Sequence, residues 1–433
     1  MSALHPKKNA LQRILSGIGA NAYGQVVAVG IQLLSVPIFL LYWDSDTYGK
    51  WLLLSAVPAY LSLMDLGIIA VASNKIVICL TKGESNQANI IFQSAIYMTA
   101  ALTTAAIAIS ALTVFIPNYT FLQSIDHKFA LFTLIMIASI NLISGLFDAA
   151  FRAANKYAQG VYLLNSTRVV ETICGLILLS IHQSFLSVAL GQLIARAICT
   201  TAIYFYIKQI LPELRWGISE RKSEEVRKLI LPGLAFLSFP IGNAISIQGL
   251  TILVGAYLGP SSAAIFGTYR TLSRVLVQLV TTVSRAAWPE ISRLFALRDI
   301  DGIKRITNKG TYICAILSVL LAIPIYTFSS EIVEFWTHGK IPPADEFFLL
   351  LLFASAITSF WQLPMVVLAA TNNHEKISLI FLLSTLVCIS ISAKITPLLG
   401  LEGTAISLIL IEVCMLIMSH LLVNRFYRNQ SND

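Results

Sequence analysis

Residues 31–74 read IQLLSVPIFLLYWDSDTYGKWLLLSAVPAYLSLMDLGIIAVASN. Two long apolar runs are joined by a short acidic turn, and one carboxylate, Asp65, stands deep in the second run. About 20 mostly apolar residues suffice to cross the hydrocarbon of a bilayer as a helix, so the stretch reads as a membrane hairpin. The pattern returns later in the chain. YGKWLLLSAVPAYL, from Tyr48 to Leu61, is matched by FGTYRTLSRVLVQL, from Phe266 to Leu279, with an offset of 218 residues between Tyr48 and Phe266. Aromatic, Gly, aromatic, Leu, Ser, Val and Leu fall in register. The same offset carries Asn155 onto Asn373 and Ser166-Thr167 onto Ser384-Thr385. One offset serving distant segments predicts two copies of a single half, a design common in transporters.

Composition points the same way. The chain has 433 residues, 56% hydrophobic and 12% charged, with a mean hydropathy of +0.76. Soluble domains carry about 25% charged residues, so the excess apolar surface must face lipid. A net charge of +8 would suggest nucleic acid in a soluble protein. Here it reflects basic residues at the cytoplasmic ends of membrane helices, and no nucleic-acid partner is expected. The six cysteines lie in or beside apolar runs without CxxC spacing and read as small packing residues. The basic N-terminus, with Lys7, Lys8 and Arg13, leads into an apolar segment of about 30 residues, too long for the core of a cleavable signal.

Twelve spans are predicted: 14–42, 48–78, 91–116, 129–151, 158–181, 184–207, 229–258, 263–288, 308–329, 346–370, 375–396 and 402–424. With the N-terminus cytoplasmic, the inside segments hold Lys75, Lys82, Arg152, Lys156, the cluster Lys208–Lys228, the cluster Arg285–Lys309, Lys376, Arg425 and Arg428. The outside segments hold only Lys50, Lys128, Lys340 and Lys394. This bias places both termini inside. The expected organisation is a cytoplasmic N-terminus (1–13), a six-helix bundle (14–207), a cytoplasmic linker (208–228), a second six-helix bundle (229–424) and a cytoplasmic C-terminus (425–433). Because six is even, the bundles are related by an axis along the membrane normal. The linker, with Glu224-Glu225 between basic pairs, reads as a short interfacial helix. Residues 290–309 read as a similar, solvated connector.

Ionisable residues at membrane depth are costly unless they meet a partner or water. They are Asp65, Asp148, Arg168, Glu171, Arg196, Arg270, Arg274 and Glu412. Arg270 and Arg274 are four apart, on one helix face. Like charges stacked so make sense only facing anions, and a guanidinium grips phosphate as a fork that Lys cannot copy. At 1.5 Å per residue, Arg270 lies about 10 Å from the outer end near Ala263 and Arg274 about 16 Å, with Arg168 and Arg196 about 15 and 18 Å from their nearer ends. Four arginines near mid-membrane suggest a cationic central cavity. Arg168 and Glu171 are three apart and can pair. Asp65 can pair with Arg196 or Arg168 or serve as a proton site, since an apolar setting favours a protonated carboxyl. Glu412 has no partner within its own helix and is the other such candidate. The chain holds no Walker A loop, HExxH or GxSxG, and its six histidines are scattered. An enzyme, a metal site and a cofactor are therefore not expected.

NAYGQVVAVGIQLLSVPIFLLYW (Asn21–Trp43), followed by YGKWLLLSAVPAYLSLMDLGI (Tyr48–Ile68), resembles the opening of the Wzx-type O-antigen and polysaccharide flippases. FDAAFRAANKYAQG (Phe147–Gly160) resembles that family's turn from the fourth to the fifth helix. These flippases form the polysaccharide branch of the multidrug/oligosaccharidyl-lipid/polysaccharide exporter (MOP) superfamily. The resemblance is best over residues 10–80 and 145–170. It implies a V of two six-helix bundles opening alternately to either side, in the inner membrane of a bacterium. It also implies an undecaprenyl-pyrophosphate-linked oligosaccharide as cargo, ion coupling, and membrane lipids and a polysaccharide polymerase complex as partners. On that basis Arg168, Arg196, Arg270 and Arg274 are candidates for cargo contacts. Asp65, Glu171 and Glu412 are candidates for coupling or gating, and Trp51, Tyr60, Tyr269 and Trp361 for sugar stacking. A cation-coupled multidrug exporter of the same fold and a membrane polysaccharide polymerase or ligase are the competing readings. The first would favour carboxylates over arginines in its cavity, and the second a large external loop.

Overall fold

A computed structural model describes residues 10–61, 68–115, 124–227, 229, 238–371 and 373–431. The expected coupling residue Asp65 lies outside these, as do residue 116 of the third span and residues 230–237 of the seventh. The described chain is all-helical. The elements are α1 (Ala10–Tyr42), α2 (Ser45–Leu61), α3 (Ile68–Thr81), α4 (Ser85–Phe115), α5 (Ile125–Ala153), α6 (Tyr157–His182) and α7 (Phe185–Ile210), then α8 (Ser238–Leu258), α9 (Pro260–Ala296), α10 (Ile300–Thr327), the short α11 (Ser329–Thr337), α12 (Asp345–Ala370) and α13 (Glu375–Ser431).

Among the described residues nine helices are long and apolar enough to cross a membrane. One of these, α13, is two helices joined at Gly400, whose φ of 64° no helix accommodates. The long helix α9 falls outside the nine because Arg270, Arg274 and its Ser, Thr and Gln residues lower its hydropathy. With the pair α2–α3 these make twelve spans in two sets of six, and the chain is a multi-pass membrane protein. Polar residues punctuate the ends. Ser124, Ser184 and Asp299 cap α5, α7 and α10 by accepting from the backbone N–H three residues on, at 3.2, 3.1 and 2.8 Å. Asp44 does the same for α2 through Thr47, and these bonds hold its carboxyl below the usual carboxylate range.

The chain divides into two compact units: Met1–Tyr42 with Val57–Leu237, and Trp43–Ala56 with Ser238–Asp433. In the first unit α3 packs on α4 and α5, α4 on α5, α7 on α5 and α6, and α1 on α6. In the second, α9 packs on α10 and α12, α10 on α12, α13 on α12, and α8 on α13. The packing order repeats, which is what the 218-residue offset predicts. The first core centres on Phe92, Phe147, Phe151 and Ile76. The second includes Phe266, Tyr269, Phe347 and Phe348, with the Tyr269 hydroxyl accepting from Ala344 N (2.9 Å). Tyr269 and Trp51, offered above as sugar-stacking residues, are thus buried packing residues.

The first part of α2 belongs to the second unit. A Cβ at Gly49 would strike the Pro260 carbonyl, Leu53 fills the space beside Gly255, and Leu52 lies against Gly267. The Ser261 hydroxyl donates to Asp46 (3.5 Å), and Lys340 Nζ donates to the Trp43 carbonyl (3.1 Å). Gly49 and Gly267 are the glycines that the repeat sets in register. Each gives the space that another helix occupies.

Two connectors bear on the packing. In the linker α7 continues to Ile210, residues 211–222 are irregular, and a short helix at 223–227 covers Glu224-Glu225, where one was expected. Side chains of α4 replace the helical hydrogen bonds. Asn89 bridges Glu213 O and Arg215 N (2.9 and 2.7 Å), Gln93 bridges Arg215 O and Glu220 N (3.2 and 2.7 Å), and the Ser94 hydroxyl accepts from Lys222 N (3.2 Å). Trp216 inserts edge-on among Phe92, Phe147 and Tyr204, at 4.8, 5.6 and 5.0 Å between ring centroids. Trp216→Ala is expected to cost about 3–5 kcal/mol and to release the linker, read as faster proteolysis within 211–222. The second connector, residues 290–309, is mostly helix. The ends of α9 and α10 run through it and turn over Leu297, Arg298 and Asp299.

Candidate functional site

In the first unit the charges gather where α6 and α7 cross. The crossing is close because Gly191 of α7 faces the backbone of Cys174 and Gly175 in α6, where a Cβ would sit 2.6 Å from the Cys174 carbonyl oxygen. One turn away from this contact, Arg196 forms an ion pair with Glu171, and the two side chains are only 4% and 13% exposed. The expected Arg168–Glu171 pair is therefore not the one formed. Arg168 keeps an electrostatic interaction with Glu171 but is exposed. The two candidates Arg196 and Glu171 largely neutralise each other, although Arg196 Nε has no acceptor. Asp148 pairs with Arg152 at the end of α5 (2.6 Å).

In the second unit the charges gather around α9. Residues Ile245–Gly249 of α8 form a π-helical turn, a feature that frees backbone carbonyls from the regular ladder and is frequent at functional sites. Arg270 uses it. Its Nη1 donates to the carbonyls of Ser246 (2.8 Å) and Ile247 (3.4 Å), and its Nη2 to the Ser246 hydroxyl (3.4 Å). The guanidinium also lies over the Phe266 ring, 5.3 Å from its centroid.

Glu412, in the second arm of α13, has partners on α12. The Thr358 hydroxyl and Trp361 Nε1 donate to its Oε2 at 2.8 and 2.6 Å. Glu412 and Arg270 also interact electrostatically. Trp361, offered above for sugar stacking, is buried and serves instead to hold this carboxylate. Arg274, one turn along α9, is partly buried and has no hydrogen-bond or ion-pair partner among the described residues.

The site can therefore hold negative charge in one particular way. Arg270 and Glu412 are fixed by neutral donors and acceptors, while Arg274 keeps its donor fork unspent. Sequence reasoning found all three residues but missed Ser246, Thr358 and Trp361 as their partners. Thr358 and Trp361 stand three apart on α12, a spacing that puts both on one face. Nothing in ISIQG marks a π turn.

No family model matches the chain. A curated relative, the uncharacterized membrane protein EpsK of Bacillus subtilis (strain 168), is 20% identical over 250 residues, which are 56% of this chain and 49% of that protein. The match thus spans about half the relative's length. Among solved structures, a multidrug resistance MATE family transporter of the MOP superfamily in an inward-facing conformation superposes with a TM-score of 0.76, over 96% of this chain and 99% of its own, at 12% identity. The outward-facing conformation of such a transporter gives 0.60, over 94% and 96%, at 14% identity. The fold is that of the MOP-superfamily transporters. A further MOP transporter, from Pyrococcus furiosus and described as having a binding pocket of reversed polarity, gives 0.59 over 97% and 94%, at 13% identity. At these identities the likeness to MOP structures establishes fold alone. These neighbours are transporters rather than enzymes.

Proposed function

We propose that the protein is a flippase that moves an undecaprenyl-pyrophosphate-linked oligosaccharide from the cytoplasmic to the periplasmic leaflet of a bacterial inner membrane. The observation that carries this reading is the arginine pair on α9. Arg270 and Arg274 stand one turn apart in a membrane helix, and among the described residues Glu412 is the carboxylate that acts on Arg270 while none acts on Arg274. Removing a charge from water costs several kcal/mol, so a pair left this positive is built to meet an anion. A pyrophosphate carries the charge that hydrocarbon rejects, and a guanidinium fork fits its oxygens. The prenyl tail can remain in lipid. Exposed Arg168 of the first unit is the other arginine open to cargo. The sequence likeness over residues 10–80 and 145–170 supports the same branch. Both termini are placed in the cytoplasm by the Lys/Arg bias, and Glu412 and Asp65 are assigned to ion coupling.

The competing reading is a cation-coupled multidrug exporter of the same fold. A cationic drug would be repelled by the α9 pair. The Pyrococcus furiosus transporter, with its reversed pocket polarity, is a MOP protein for which a different function has been suggested. Deleting the gene in its host decides between the two. Loss of surface glycan, with lipid-linked repeat units trapped on the cytoplasmic side, is the expected result. Normal glycan with raised sensitivity to cationic dyes would move the assignment to drug export. In the complemented strain, Arg274→Ala is expected to abolish export while the protein stays folded in the membrane at wild-type amount. Disappearance of the protein would mean instead that Arg274 is structural.

A further inference from the structure

The two arginines of α9 have the same chemistry and opposite surroundings. Arg270 spends Nη1 on two carbonyls of the π turn and Nη2 on the Ser246 hydroxyl, covers the Phe266 ring and faces Glu412. Glu412 is itself held by Thr358 and Trp361. Moving Arg270 onto a ligand would strip acceptors from its guanidinium and leave π-turn carbonyls unpaired at membrane depth, where lipid cannot satisfy them. Among the described residues Arg274 has no hydrogen bond or ion pair to give up.

We infer that the pair divides its work. Arg274 alone is the contact for the cargo's anion, and Arg270 is a positioning residue that ties α9 to the π turn of α8 and to Glu412. The anion in question is a phosphate or pyrophosphate oxygen, an identity that rests on the function proposed above, whereas the division of labour rests on hydrogen bonding alone. Glu412 then tunes the site at a distance, because its charge opposes that of the incoming anion through Arg270.

The division predicts unequal chemistry at the two guanidinium groups. Purified full-length protein in detergent would be treated with phenylglyoxal, which modifies accessible arginines, and peptide mass spectrometry would give the rate at each position. Arg274 is expected to react at least tenfold faster than Arg270. Geranylgeranyl pyrophosphate is expected to protect Arg274 without changing Arg270. The dissociation constant for geranylgeranyl pyrophosphate, measured by isothermal titration on the full-length protein, serves as the common readout for variants. Arg274→Lys should raise it at least tenfold, because one ammonium cannot replace the fork. Arg270→Lys should raise it less than threefold, because a cation still reaches the Ser246 carbonyl. Glu412→Gln keeps the hydrogen-bonding shape and removes the charge, so it should lower the dissociation constant and speed the labelling of Arg270.

Equal labelling rates at the two arginines, or equal losses in the two Lys variants, would overturn the division. Protection of Arg274 by inorganic pyrophosphate but not by the prenyl compound would leave the division standing and sink the lipid-linked cargo. Selective labelling of Arg274 with no protection by either compound would remove it as an anion contact and overturn the inference.

Discussion

Glu171→Ala is expected to cost about 3–5 kcal/mol of stability, enough to unfold much of the protein in detergent at growth temperature. The reason is what the substitution leaves behind. Arg196 is 4% exposed, Glu171 is its ion-pair partner, and its Nε already lacks an acceptor. Truncating the carboxylate would strand a cation between α6 and α7. The check is thermal or SDS unfolding of the purified protein, in a cycle with Arg196→Met and the double variant. The double variant should recover most of the loss, since replacing both partners by apolar groups removes the desolvation cost together with the attraction. A different pattern would reassign the residue. Glu171 was a candidate for ion coupling, and a coupling carboxylate must exchange with water. If Glu171→Ala leaves stability unchanged and abolishes transport, Glu171 is a working carboxylate rather than half of a structural pair.

Gly191→Ala is the second large effect, and it would come from a single methyl group. The Cβ would meet the Cys174 carbonyl oxygen at 2.6 Å and the Gly175 Cα at 3.2 Å, and neither backbone atom can swing aside. The helices must separate, at a cost on the order of 1–3 kcal/mol. The neighbouring glycine supplies the control. A Cβ at Gly175 would meet Gln192 Cγ at 2.8 Å, part of a flexible side chain that can adopt another rotamer, so Gly175→Ala should cost clearly less. Because the crossing sets the span of the ion pair, Gly191→Ala and Glu171→Ala should be non-additive in the double variant. Strict additivity would mean that the pair follows the movement of the helices without strain.

The fold was legible because its cause is written residue by residue. Lipid imposes apolar runs about 20 residues long, and the Tyr48-Gly49 and Phe266-Gly267 echo told of two halves before any packing was known. The polar irregularities were harder to read. A tryptophan in a basic linker looks like a membrane-surface residue, yet Trp216, half-buried, packs against the core of the first unit. Its role depends on Asn89, Gln93 and Ser94, more than a hundred residues earlier, whose side chains take up the linker backbone. For the candidate site, the sequence named the charges, because an ionisable group in an apolar run stands out. It could not pair them. Spacing along one helix offered Arg168 to Glu171, but the distance across the α6–α7 crossing chose Arg196. Local spacing cannot supply that distance, because it is set by glycines on two different helices.

The polarity of α9 also bears on how the protein enters the membrane. A lone arginine at the centre of a helix costs roughly 2.5–3.5 kcal/mol during insertion, and α9 brings two, Arg270 and Arg274, flanked by Thr268, Thr271 and Ser273. As an isolated segment leaving the ribosome it would favour water. Its neighbours α8 and α10 are apolar enough to insert by themselves, and α8 carries the π turn whose carbonyls receive Arg270. The opened turn of α8 offers Arg270 an acceptor from the helix that precedes it in the chain, so the charge costs less in an α8–α9 hairpin than in α9 alone.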